Sequence, residues 1–167
     1  GSTLYLDTID ANYAITGVNH TINNLTIGSQ QFNVTSLPTR NHRLIVAGTT
    51  TLTGDAVIRN NTAQSGDTLA NVNITLAGPV VAAGSLTKSG GMGALILASG
   101  SNPFSGGLSV YNSQGNGGSG DYGLKNGVIA YQTGATNALG TGNVTLMANS
   151  FLGLLTDRTA AQGAVYN

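Results

Sequence analysis

The chain has 167 residues, no Cys, no Glu and no net charge at pH 7, and its six Lys and Arg are scattered. That length suits one domain with a real core, and without a basic field to neutralise phosphates no nucleic acid is expected as a partner. Gly, Thr, Asn and Ser make up 77 of the 167 residues, a strand-and-turn composition that excludes a helical bundle, because helices draw on straight-chain residues such as Glu and Lys.

Taken in chain order, Gly1 to Asp10 has neither the basic start nor the apolar core of a signal peptide. Apolar residues then alternate in short runs broken by Gly, Asn, Asp or Ser, the pattern of strands with one buried face. Strands are predicted at Leu44-Ile45-Val46, Val57-Ile58, Val72 to Leu76, Leu95-Ile96-Leu97, Val128-Ile129-Ala130 and Val144-Thr145-Leu146. The longest strongly apolar stretch, Leu76 to Gly84, is interrupted by Gly78-Pro79 and falls well short of the roughly 20 residues that cross a bilayer. This segment is therefore expected to insert in no membrane. Residues 112–126 are rich in Gly, Asn and Ser and read as a loop insertion, and Thr156 to Val165 comes nearest to a helical pattern.

A four-residue unit occurs three times: Asn24-Leu25-Thr26-Ile27, Asn73-Ile74-Thr75-Leu76 and Asn143-Val144-Thr145-Leu146. The two intervals approximate two and three turns of a unit of about 23 to 25 residues, so the chain is expected to hold about seven coils. One coil of short strands cannot bury its inner face, but coils stacked about 4.8 Å apart bury continuous ladders of Val, Ile and Leu. The expected fold is all-β, a right-handed parallel β-helix (β-solenoid), with residues 1–167 forming a single domain or segment.

The stretch Leu86-Thr87-Lys88-Ser89-Gly90-Gly91-Met92-Gly93-Ala94-Leu95-Ile96-Leu97, followed by Ser99-Gly100-Ser101-Asn102-Pro103-Phe104-Ser105-Gly106-Gly107-Leu108-Ser109-Val110, resembles the autotransporter-associated β-strand repeat. Ala138 to Leu146 is similar to the Ala-Leu-Gly-x-Gly-x-Val-Thr-Leu element that often follows such repeats. Residues 86–110 carry the sharpest match. The repeat residues are Leu86, Lys88, Gly90, Gly93, Leu95, Leu97, Asn102, Phe104, Gly106 and Gly107. The sequence departs from the pattern by one extra residue at Gly91-Met92, one before Ser99, and the insertion after Tyr111. The resemblance implies a passenger-type parallel β-helix outside a bacterial cell, and it does not imply an enzyme.

Candidate chemistry is sparse. His20 and His42 are the only histidines, and with no spacing to a second ligand they read as surface turns, so no metal site and no cofactor is expected. Asp7, Asp10, Asp55, Asp67, Asp121 and Asp157 are dispersed, whereas glycoside cleavage needs a close carboxylate pair. Asp55 and Asp67 are the two that adjacent coils could align. Arg40, Arg43 and Arg59 do not match the coil interval and read as solvated turn charges. Gly117-Gly118-Ser119-Gly120-Asp121 is similar to a calcium-binding nonapeptide, but the Asp comes one place early and the motif occurs once. Thr49-x-Thr51-x-Thr53 gives an outward Thr array of the kind that ice-binding surfaces repeat coil after coil. Lys88 is read as solvating a coil corner and discouraging lateral strand pairing, and Phe104 as packing inside a corner.

The expected function is that of a non-catalytic extracellular structural scaffold, on the bacterial surface or secreted, with homo-polymerisation through end-to-end strand stacking. The alternative is an adhesin module in which a loop carrying Tyr111, Asn116, Asp121 and Tyr122 contacts a glycan or a host surface protein. A polysaccharide-active β-helix enzyme is the remote third class.

Overall fold

The computed structural model describes residues 1–6, 17–36, 42–62, 72–91, 93–111, 127–132, 137–148 and 150–156. Among them every regular element is a β-strand. The strands come first in triplets: β1 (Ser2–Leu6), β2 (Asn19–Ile22) and β3 (Leu25–Ile27), then β4 (Gln31–Ser36), β5 (Arg43–Val46) and β6 (Thr50–Leu52), then β7 (Ala56–Thr62), β8 (Asn73–Leu76) and β9 (Val80–Ala82). They then come in pairs: β10 (Leu86–Gly91) and β11 (Leu95–Leu97), β12 (Leu108–Tyr111) and β13 (Val128–Gln132), β14 (Val144–Leu146) and β15 (Leu152–Thr156).

Each member of a triplet or pair belongs to a different sheet. The first sheet runs β1-β4-β7-β10-β12-β14, the second β2-β5-β8-β11-β13-β15 and the third β3-β6-β9. All of their pairings are parallel. Beyond β9 the third side continues through a single parallel bridge between Ser101 and Asn137.

Period-two patterning explains the burial. In β5, β8 and β11 every second residue is buried, and register aligns Leu44, Ile74, Leu95 and Val128 in one column and Val46, Leu76, Leu97 and Ala130 in the next. All eight are fully buried. Strand spacing of about 4.8 Å puts like side chains in van der Waals contact along each column, so one ladder serves both hydrogen bonding and packing. Inward residues of all three sheets form one apolar cluster, to which Phe104 and Leu139 add from the connections.

The three four-residue units fall on three different sheets, in β3, β8 and β14, so the distances between them along the chain are not layer intervals. The real interval is uneven, shortest from Ile74 to Leu95 and longest from Leu108 to Val144. Most of its variation has one source. In the triplets, connections from the second sheet to the third and from the third to the first hold only two or three residues, as between Leu52 and Ala56. Those from the first sheet to the second range from three residues after Gly91 to sixteen after Tyr111.

The short turns are kept short by glycine. A Cβ on Gly84 would overlap the Gly54 carbonyl group, and one on Gly106 the Gly84 carbonyl group, so backbone stacks on backbone at the turn into the first sheet. Gly91 falls beside a bulge. Register slips between Lys88, opposite Ile58, and Gly91, opposite Asn60, with Gly90 at φ 42° in the left-handed region.

Candidate functional site

The repeat residues are distributed between core and turns. Leu86, Leu95, Leu97 and Phe104 are fully buried. Gly93 and Gly107 have φ of 122° and 90°, values that L side chains rarely adopt. Asn102 is also fully buried. Its Oδ1 accepts the Val80 N–H at 2.9 Å, and its Nδ2 donates to the Ser99 carbonyl at 3.0 Å and the Ala138 carbonyl at 2.7 Å. One side-chain amide thus bonds layers below and above at the level where the third sheet gives way to a single bridge.

Lys88 corrects the sequence reading. It lies inside rather than at a solvated corner, because it shares the inward parity of Leu86 and aligns with Ile58 on one side and Val110 on the other. Its Nζ donates to the Gly90 carbonyl at 2.7 Å, an acceptor that the bulge supplies. Burial, with a smaller repulsion from Arg59, pushes the ammonium down to about 8.

The histidines are likewise not a pair of surface turns. His20 in β2 and His42, just before β5, meet with Nε2 of His20 3.3 Å from Nδ1 of His42 and ring planes at 63°. His42 is buried and His20 half-buried. Parallel pairing of Asn19 with Arg43 brings them together.

Of the expected contact loop, Tyr111 is 42 % exposed at the end of β12, while Asn116, Asp121, Tyr122 and the rest of residues 112–126 lie outside the described residues. Asp55 is the one Asp among the described residues. Its Oδ1 accepts both the Ser85 N–H and hydroxyl at 2.9 Å, and these bonds, the backbone one foremost, hold its carboxyl below the ordinary carboxylate value. The alignment of Asp55 with Asp67 therefore lies outside the described residues. Arg43 and Arg59 are on different sheets, in β5 and β7, and Arg40 lies outside the described residues. Thr51 has Thr26 on one side and Val81 on the other, so the outward Thr array does not continue into the third layer. Among the described residues no three His, Cys, Asp or Glu gather as metal ligands, and no helix is long and apolar enough to cross a membrane.

The last layer has a different surface. Val144 and Leu146 of β14 continue the columns of Leu108 and Val110, and Leu154 of β15 continues that of Ala130. The lower members are fully buried, whereas Leu146 is 53 % and Leu154 44 % exposed. β14 and β15 are also the terminal strands of their sheets.

Fold and surfaces together define an all-β protein of layered parallel sheets. Compared with models of protein families, with curated proteins and with solved structures, the chain matches none.

Proposed function

We propose that the chain is a non-catalytic structural β-solenoid, a right-handed parallel β-helix on a bacterial surface or secreted from the cell, whose column stacks end to end with further copies. The observation that carries this reading is the cyclic visiting order, first sheet, second sheet, third sheet, with in-register parallel pairing at each return. Six strands in each of the two long sheets, among the described residues, support a stack of successive coils. The resemblance of residues 86–110 to the autotransporter-associated repeat supports the extracellular location.

End-to-end stacking is supported by the exposed columns of Val144, Leu146 and Leu154, which fit a further parallel layer bearing aliphatic residues at alternate positions. The β1 and β2 end offers such a layer in Leu4 and Ile22, both packed on the core. The test is sedimentation velocity over a hundredfold concentration range, with negative-stain images of the same samples. Concentration-dependent filaments that vanish in a Leu146→Lys, Leu154→Lys double variant are the expected result. A persistent monomer overturns the stacking and leaves a module of a larger column.

The adhesin reading has its own support, because all the longer connections among the triplets, and the sixteen residues after Tyr111, leave from the boundary between first and second sheets. The strand ends from which they leave lie along one edge of the stack, where a glycan or host protein would be contacted. Loss of binding in a glycan and host-protein screen on deleting residues 112–126 would favour it.

A further inference from the structure

We propose that His20 and His42 form a two-imidazole site for a divalent transition cation of the Cu²⁺, Ni²⁺ and Zn²⁺ group. The chain has two histidines, far apart in sequence, and the fold brings these two ring systems to a centroid distance of 5.1 Å. Their facing nitrogens, Nε2 of His20 and Nδ1 of His42, are 3.3 Å apart. At that distance one ring nitrogen can donate to the other in a long N–H···N hydrogen bond, the donor being set by the tautomer. The same separation equals the edge, about 3.3–3.4 Å, of a tetrahedron whose metal–nitrogen arms are about 2.0–2.1 Å.

The site is built by backbone rather than by chance rotamers. Arg43 N–H donates to the Val18 carbonyl at 3.0 Å and Asn73 N–H to the His42 carbonyl at 3.3 Å, so the segment bearing His42 is held by a layer on either side. His20 stands in register with Leu44, on the inward parity of β2. His42 is buried while His20 is half-buried, so the pair meets solvent through His20.

Ligand chemistry selects the ion. Two neutral imidazoles with water suit first-row transition cations, tightest for Cu²⁺, and are a poor match for Ca²⁺ and Mg²⁺, which take oxygen ligands. A bound ion would tie β2 to the segment entering β5, joining the first layer to the second independently of the strand ladder.

The test is isothermal titration of the untagged full chain with Cu²⁺, Ni²⁺, Zn²⁺, Ca²⁺ and Mg²⁺, alongside His20→Gln and His42→Gln, with electron paramagnetic resonance of the Cu²⁺ complex. Expected are one equivalent of Cu²⁺ bound, weaker Ni²⁺ and Zn²⁺, no response to Ca²⁺ or Mg²⁺, at least tenfold weaker Cu²⁺ binding in either variant, and coupling to two imidazole nitrogens. His20 is half-buried, so His20→Gln serves even where His42→Gln does not fold. Cu²⁺ binding that is absent, or unchanged in His20→Gln, or without two-imidazole coupling, overturns the proposal.

Discussion

The Lys88 ammonium donates to the Gly90 carbonyl at 2.7 Å from a position that Ile58 and Val110 fill on the two neighbouring strands. A charged group thus occupies an aliphatic column, with the carbonyl of a bulged glycine as its acceptor. Burial disfavours the charged form, and the bulge offers one dipole in compensation.

Stability should therefore rise with alkaline pH. The unfolded chain keeps the lysine proton up to the ordinary value of 10.5, whereas the folded chain releases it near 8. Between these values the unfolded state binds more protons, so the unfolding free energy grows with pH, by about 3 kcal/mol in all. Below pH 8 the full penalty is present. Lys88→Met, similar in length and free of charge, should raise the urea midpoint at pH 7, and its advantage should shrink as pH approaches 10.5. Parallel pH profiles for the two proteins would contradict this account.

Asn102→Ala removes the acceptor of the Val80 N–H and the donor to the Ser99 and Ala138 carbonyls. Leaving buried backbone groups unpaired costs about 3 kcal/mol here. The local signature is faster hydrogen exchange at the Val80 amide, read by NMR, beyond the change at amides of the second sheet.

Gly84→Ala and Gly28→Ala make a matched pair. The first places a methyl group against the Gly54 backbone, while the second meets only Thr53 Oγ1, at an ordinary 3.7 Å. Thermal unfolding should show a loss of more than about 2 kcal/mol for Gly84→Ala and near-neutral behaviour for Gly28→Ala.

Leu97 and Leu154 share a column two layers apart, through Ala130. Leu97 is fully buried and Leu154 is 44 % exposed, so Leu97→Ala should cost about 3 kcal/mol and Leu154→Ala under about 1 kcal/mol in the monomer. Equal losses measured by chemical denaturation at low concentration would mean that the β15 end is covered in solution.

The strands are legible in the sequence because they either alternate apolar and polar residues with period two, as Val72 to Leu76 and Val144 to Leu146 do, or are short runs of Leu, Ile and Val, as Leu44 to Val46 and Leu95 to Leu97 are. The layer interval is not, because the Asn-x-Thr-x unit suits any of the three sides of a parallel stack and recurs on all of them. The glycine neighbours of Lys88 suggest a solvated turn, although its parity with Leu86 carries the signal that it points inward. The contact of His20 with His42 is hidden for the same reason as the interval: their spacing along the chain acquires meaning only once the register of Asn19 with Arg43 is known.

The concentration of length variation at the first-to-second-sheet connections divides the chain into two kinds of position. An indel at that boundary, where three residues suffice after Gly91 and sixteen are accepted after Tyr111, leaves every ladder in place. One extra residue in the turn between Leu52 and Ala56 would instead present the opposite pleat of β7 to the core, turning Ile58 outward. The first boundary is accordingly where foreign epitopes can be grafted, and the short turns are where only substitutions keep the register.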